Sequence, residues 1–179
     1  DGGSAIGQKL ARVEAGFDLA NPVASVEDLL AVRADIMALS VGTGMHYKAI
    51  KLKELDELIV ACMGLYLSPT VEDPTASPGD SVVVRVEATN RSDHGVRWTA
   101  VAALAPHDMN AALFDKEMDT VLTKYAPVME TVRLQLPANS PTSDPYWFQE
   151  PWVLGVYRVP NQLDRGMAES PDPLHIFFR

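Results

Sequence analysis

Apolar residues recur at helical spacing through the first part of the chain and at strand spacing afterwards. Between Ser4 and Leu19, the residues Ile6, Leu10, Val13 and Phe17 are separated by four, three and four positions, which is one face of a helix. Ser4 is its expected N-cap and Asn21-Pro22 its expected stop. A second helix is predicted from Ser25. The Ser25 hydroxyl would accept from the Asp28 backbone N–H and Asp28 would reach back, a shortened capping box. Its expected stripe is Val26, Leu29, Leu30, Ile36 and Met37, with Gly42-Thr43-Gly44 as the break. The third helix, about Met45 to Leu65, has the clearest pattern: Leu52, Leu55, Ile59, Cys62 and Tyr66, widened by Leu58 and Met63. Lys51, Lys53, Glu54, Asp56 and Glu57 fill the opposite face. Three short helices with one apolar stripe each suit a small antiparallel bundle. Such a bundle is too small to be comfortable alone, so it is expected to pack on something else.

After Leu67 the period becomes two. Thr75 to Asp80 is a predicted turn, with Pro78-Gly79 in the order a type II turn requires. Val82, Val84, Val86 and Ala88 then alternate with more polar or outward positions. Asn90 to Gly95 is polar, and Val96, Trp98, Ala100 and Ala102 resume the alternation. Thr120–Tyr125 is a weaker predicted strand, Val132, Leu134 and Leu136 mark another, and Gly155–Val159 and Leu174–Phe178 are the last two. Asn139 to Pro145 is a proline-punctuated loop. Proline placement agrees, since Pro22 alone precedes residue 68 and the other 12 of the 13 prolines follow it. Six or seven short strands with no helices between them predict an antiparallel sheet pair rather than a parallel sheet. The expected architecture is α+β: a helical segment over residues 1–67, packed on an antiparallel immunoglobulin-like β-sandwich over residues 68–179.

Composition narrows the partners. A net charge of −9 from 15 basic and 24 acidic residues argues against wrapping nucleic acid or an anionic membrane. In 179 residues there is room for one ordinary domain or two small ones, and 47% apolar content can fill a core. No apolar run reaches the roughly 18 residues of a membrane helix. One cysteine, Cys62, excludes an internal disulfide framework and a thiolate zinc cluster. The chain opens without Met or a signal-peptide pattern, and Arg179 falls inside a predicted strand, so both ends are expected to be cuts in a longer polypeptide.

Candidate chemistry is sparse. His46, His94, His107 and His175 have no local metal-ligand spacing. His107 and Asp108 are adjacent and would need a third ligand such as His94 or Glu117 from elsewhere. There is no G-x-S-x-G elbow and no G-x-G-x-x-G after a strand. Cys62 lies on an apolar stripe, where a small buried hydrophobe is the plainer reading than a nucleophile. Asn90-Arg91-Ser92 matches a glycosylation sequon, but it also fits a strand-end turn with Arg91 bonded to backbone carbonyls, which is the preferred reading. The most distinctive stretch runs from Ser143 to Trp152, with four aromatic residues in seven. Tyr146, Trp147 and Trp152 are the candidate carbohydrate contacts, because aromatic faces stack on the C–H faces of pyranoses. The preferred reading packs these rings over the end of the sandwich or against the helices, and predicts that Trp147 is mostly buried.

Several phrases taken in order carry a family resemblance. They are Gly2-Gly3-Ser4-Ala5-Ile6-Gly7, the run Leu55–Leu67, Pro78-Gly79-Asp80 followed by Thr89-Asn90-Arg91-Ser92, and Leu136–Phe148 followed by Gly155-Val156-Tyr157-Arg158-Val159. Together they resemble the region downstream of the catalytic domain in large bacterial PIG-L/LmbE-type deacetylases, over nearly the whole chain. That family removes acetyl from N-acetylglucosaminyl groups with zinc, using a His-Pro-Asp-Asp stretch and a later His. Ala105-Pro106-His107-Asp108 has similar letters in a different order, so no catalytic residue carries over. The resemblance implies a noncatalytic accessory module that positions or covers the parent enzyme's own catalytic domain. It implies zinc only in that other domain, no cofactor in this chain, and an extracytoplasmic setting. A carbohydrate-binding module is the alternative, with a glycan as partner.

Overall fold

The structure is a computed structural model that describes residues 2–40, 42–105, 108–140, 142–162, 164–170 and 174–179. It contains helices α1 (Gly3–Gly16), α2 (Val26–Ala38) and α3 (Met45–Met63). Strands β1 (Tyr66–Val71), β2 (Ser81–Thr89), β3 (Val96–Ala105), β4 (Asp108–Leu122), β5 (Val128–Gln135) and β6 (His175–Phe178) follow. The chain is therefore α+β. It divides into two compact units, one made of Asp1–Leu67, Glu87–Val96 and Val121–Val128, the other of Ser68–Val86, Arg97–Thr120 and Met129–Arg179.

The first unit is built around the helices. Ile6 from α1, Val26, Leu29, Val32 and Ile36 from α2, and Leu55, Ile59, Cys62 and Met63 from α3 form one buried cluster. Helix α2 contacts both α1 and α3, and its buried face is therefore turned towards Val32. Leu30 and Met37, expected on the stripe, are exposed, as are Leu10, Phe17, Leu58 and Tyr66. Charged side chains bridge the helices beside this core. Lys9 pairs with Asp35, and Arg33 pairs with Asp56 through its Nε and Nη2 at 2.5 and 3.2 Å. The Arg33 guanidinium is held above its usual pKa mainly by that hydrogen bond to Asp56, against the opposing effect of desolvation. Lys48 Nζ donates to the Met37 and Leu39 carbonyls at 2.6 and 2.8 Å, satisfying the end of α2 with a cation where the helix dipole is negative.

Two expected caps are corrected. Ser4 lies inside α1, whose N-cap is Gly2. Ser25 ends a short 3₁₀ turn begun by Pro22 and already has helical φ and ψ of −85° and −9°. A capping hydroxyl works from an extended residue, so Ser25 makes no capping bond. Pro22 starts this turn rather than stopping α1, which ends at Gly16. Gly42-Thr43-Gly44 forms a 3₁₀ turn, with Gly44 as the N-cap of α3. Helix α3 stops at Gly64, where φ is +61°. The Leu65 N–H reaches back to the Val60 carbonyl at 3.1 Å, the six-to-one bond of a Schellman motif.

The strands form two three-stranded sheets among the described residues, in the orders β1-β2-β5 and β4-β3-β6. β2 keeps its predicted alternation, with Val84, Val86 and Ala88 buried, and β5 buries Val132 and Leu134. The Pro78-Gly79 turn forms as expected: Asp80 N–H donates to Ser77 O at 3.0 Å and Gly79 has φ +89°. β1 contains Pro69, which an edge strand tolerates because no partner needs its missing N–H.

β3 buries Trp98, Ala100 and Ala102 as predicted, and buries Val101 and Ala103 as well, so both of its faces are covered. It pairs antiparallel with β6, Val101 opposite Phe178 and Ala103 opposite Ile176. The N–H groups of Thr99 and Ala100 both donate to the Arg179 carbonyl, at 2.7 and 3.1 Å. Two residues facing one is a β-bulge, and it shifts the pleat by one residue. Trp98 thereby joins the face of Val101 and Ala103, and its ring lies 5.6 Å from that of Phe178.

β4 was expected only over Thr120–Tyr125, yet it spans 15 residues and ends at Leu122. Its middle, Ala111 to Met118, is rich in residues that favour helices, and pairing with β3 overrides that preference. The expected strand Gly155–Val159 does not form: a tight turn over Val153–Val156 takes its start, and Tyr157–Val159 have no regular secondary structure. Val153 and Val156 exchange backbone hydrogen bonds at 3.2 and 2.9 Å, and Gly155 takes φ +76° to close it.

Candidate functional site

The long segment between β5 and β6 holds the aromatic residues singled out above, all within the second unit. Pro145 fixes an extended residue before a 3₁₀ turn over Tyr146–Phe148, and the Phe148 N–H closes back on the Pro145 carbonyl at 2.8 Å. Tyr146 is the anchor. Its hydroxyl donates to the Met167 carbonyl and its N–H donates to Ser170 Oγ, each at 3.0 Å. Tyr146 stands edge-to-face with Trp147, ring centres 4.8 Å apart. Trp147 in turn lies 6.1 Å from Phe148, and Phe148 lies 5.6 Å from Tyr157 at an interplanar angle of 74°.

Exposure separates these residues. Tyr146 is 8% exposed and Trp147 is intermediate, whereas Phe148, Trp152 and Tyr157 are 50%, 61% and 54% exposed. Of the three candidates, Tyr146 and Trp147 are brought together, and Trp152 forms no ring pair with either among the described residues. The rings that reach solvent include two outside the original set, Phe148 and Tyr157.

Beside Tyr157 lies an open cavity of about 450 Å³, lined by Glu150, Tyr157, Arg158, Val159, Pro160 and Arg165. Arg165 is held by its own loop, with Nε donating to the Val159 carbonyl and Nη1 to Gln162 Oε1, both at 3.0 Å. Among the described residues neither Arg158 nor Arg165 pairs with a carboxylate. The sequence reading missed this corner because Gly155–Val159 looked like a strand. Pro160-Asn161 and Asp164-Arg165-Gly166 are turn-forming pairs that signal a loop at the same place.

A second concavity of about 590 Å³ lies on the β4-β3-β6 sheet, lined by Thr99, Ala100, Asp115, Glu117, Asp119 and Arg179. The carboxylates come from alternate positions of β4, so they share a face. Asp115 is paired with Arg179, and Asp119 accepts from Arg97 at 2.7 Å.

The remaining candidates are dispersed. His107 lies outside the described residues, and Asp108 begins β4. His94 Nε2 is 3.8 Å from Glu27 Oε1, while Glu117 belongs to the sheet concavity. His46 meets Tyr47 edge-on and His175 lies tilted beside Phe177. Among the described residues no three His, Cys, Asp or Glu side chains gather as metal ligands would. Cys62 sits in the helical core, and burial pushes its thiol pKa up, away from the reactive thiolate. No described helix is long and apolar enough to cross a membrane.

Asn90, the sequon residue, is 2% exposed. Its Nδ2 donates to the carbonyls of His94 and Leu122 at 2.9 and 3.4 Å, and its Oδ1 accepts from the Ser92 N–H and hydroxyl, both at 3.0 Å. This is the preferred turn, built by Asn90 rather than Arg91. The Arg91 guanidinium lies over the Tyr66 ring, 5.1 Å from its centre, instead of bonding carbonyls.

Comparison with protein-family models, with curated proteins and with solved structures finds no match for this chain.

Proposed function

We propose that the chain is a noncatalytic accessory module of a zinc-dependent PIG-L-type N-acetylglucosaminyl deacetylase, with an immunoglobulin-like β-sandwich as its scaffold. The strand order supports the scaffold part of this reading. Lettered along the chain, β1-β2-β5 corresponds to A-B-E and β4-β3-β6 to C′-C-F, the connectivity of immunoglobulin-type sandwiches. The ordered phrases that resemble the family supply the rest. The chain carries no His-Pro-Asp-Asp stretch, so zinc and the hydrolytic step belong to the parent's catalytic domain, which this module positions or covers. An extracytoplasmic location follows from the same resemblance.

Two measurements test the proposal. The reading frame upstream of Asp1 is expected to encode a His-Pro-Asp-Asp stretch, and a frame without one removes the family assignment. Purified chain supplied with zinc is expected to leave N-acetylglucosaminyl substrates unchanged. Chelator-sensitive release of acetate by this chain alone would overturn the noncatalytic role.

A second reading is favoured by the exposure of Phe148, Trp152 and Tyr157. Three large rings half or more in water, on a segment fixed by the buried Tyr146, suit a sugar-stacking surface. Oligosaccharides are then expected to shift and shield the tryptophan fluorescence. The Trp152→Ala variant would lose that response with little change in stability, and an unaltered response in this variant would remove Trp152 from the surface.

A further inference from the structure

The second reading leaves the class of saccharide open, and the cavity beside Tyr157 narrows it. We propose that this cavity, with Arg158, Arg165 and the Tyr157 ring, binds an acidic oligosaccharide through the carboxylate of a uronic acid. The inference rests on the reading of the aromatic loop as a carbohydrate contact.

Three observations converge on it. The first is charge. The chain carries −9 overall, yet two guanidinium groups line this one cavity and neither is neutralised by a carboxylate among the described residues. Arg85, Arg97 and Arg179 are taken up in ion pairs with Glu72, Asp119 and Asp115, while Arg12, Arg91 and Arg133 are exposed without one among the described residues but line neither cavity. The Arg158 fork, which has no partner among the described residues, matches the geometry of a carboxylate, which it can bind through two parallel hydrogen bonds, with Arg165 adding its charge.

The second observation is order. Arg165 is tied by Nε and Nη1 to its own loop, which restrains the guanidinium plane, and Nη2 takes part in neither bond. Arg158 has no such tether among the described residues and can close on a bound anion. A tethered arginine lowers the ordering penalty of binding, and an untethered one beside it offers a second contact.

The third is shape. The volume of about 450 Å³ falls within the range of small-ligand sites and suits one or two pyranose rings. Tyr157 lines the cavity and meets Phe148 at 74°, so the two rings form a corner rather than a flat sheet. A pyranose stacked on Tyr157 would share the cavity with both guanidinium groups, within which a C5 carboxylate is the group they would bind. Glu150 on the same wall can accept hydrogen bonds from ring hydroxyls and disfavours a ligand carrying negative charge on every edge, such as a polyphosphate.

The test is calorimetric titration of the chain with tetragalacturonate and with its fully methyl-esterified form, which keeps the rings and removes the charge. The acid is expected to bind about tenfold more tightly than the ester, and this preference should shrink as salt rises. Arg158→Ala should erase the preference while leaving residual binding of both, and Tyr157→Ala should weaken both alike. Equal binding of acid and ester overturns the uronic-acid proposal and leaves the neutral stacking surface standing. Binding of neither overturns both. Polyglutamate binding as tightly as the acid assigns the cavity to acidic peptides instead. Should Arg158→Ala fail to fold by circular dichroism, the acid–ester comparison on the unaltered chain decides alone.

Discussion

Asn90 shows how much one side chain can organise. It satisfies two carbonyls and accepts from both donors of Ser92 while almost wholly buried. Truncation to Ala strands those carbonyls without partners, and each buried polar group left unpaired costs about 1–3 kcal/mol. Asn90→Ala is therefore expected to destabilise by roughly 2–4 kcal/mol, measured as a drop in the urea midpoint. Its inward-facing amide also predicts that the folded protein carries no glycan at the sequon, which mass spectrometry of protein from a glycosylating host would check. Cys62 makes a second residue-scale prediction. Burial raises its thiol pKa in the folded state. The stabilisation linked to the neutral thiol is then fully present below the unfolded pKa, about 8.5, and is lost as pH rises through the folded value. A disulfide reagent at pH 8 should react slowly with native protein and at once after denaturant, and prompt native labelling would contradict the buried position.

At the scale of elements, α3 and β3 hold the two best-defined pieces of core. Leu55 and Ile59 lie within the buried helical cluster, so Leu55→Ala and Ile59→Ala should each cost about 2–4 kcal/mol. Denaturant midpoints that hardly move would mean that the α3 stripe is not buried within this chain in solution. Trp98 is 3% exposed, and its indole N–H donates to the Ala100 carbonyl at 2.8 Å. Trp98→Ala is expected to cost about 3–5 kcal/mol, readable as a lower melting temperature with loss of near-ultraviolet circular dichroism. The helical stripe of α3 was legible because Leu55, Ile59 and Cys62 repeat at three and four. The alternation of Trp98, Ala100 and Ala102 was legible too, but the bulge and the burial of Val101 and Ala103 were not, because a bulge depends on how β6 pairs with β3 and nothing local to Trp98 announces that partner. All of β4 before Thr120 was missed for a related reason. Residues such as Ala112, Leu113, Lys116 and Glu117 do not look like a strand until a neighbouring strand supplies the hydrogen bonds.

For the molecule as a whole, charge gives the firmest expectation. With a net charge of −9, the chain should not be retained by duplex DNA near physiological salt, because it has no counterion release to gain. Retention in a gel-shift assay at about 0.15 M salt would point to a basic face that the overall charge hides. The aromatic loop illustrates what is lost when a site is inferred from composition. Tyr146, Trp147 and Trp152 stood out as a run of large rings, yet Tyr146 turned inward and took the structural hydrogen bonds. Tyr157, Arg158 and Arg165 came to the surface beside a cavity. Ring count was visible in the chain; which rings meet water was decided by Pro145, the Val153–Val156 turn and the contacts to Met167 and Ser170.

The sequence by itself determined the order of helices before strands, the position of α3, the Pro78-Gly79 turn and the alternation of β2. Each rests on periodicity or on backbone preferences that act within a few residues. Tertiary structure decided the rest: the rotation of α2 towards Val32, the bulge at Thr99 and Ala100, the length of β4, the burial of Asn90 and the corner formed by Phe148 and Tyr157. These features arise where residues distant in sequence supply a hydrogen bond, a packing surface or a charge. A local pattern records the preference of a segment, whereas its partner sets the register and the face that preference finally adopts.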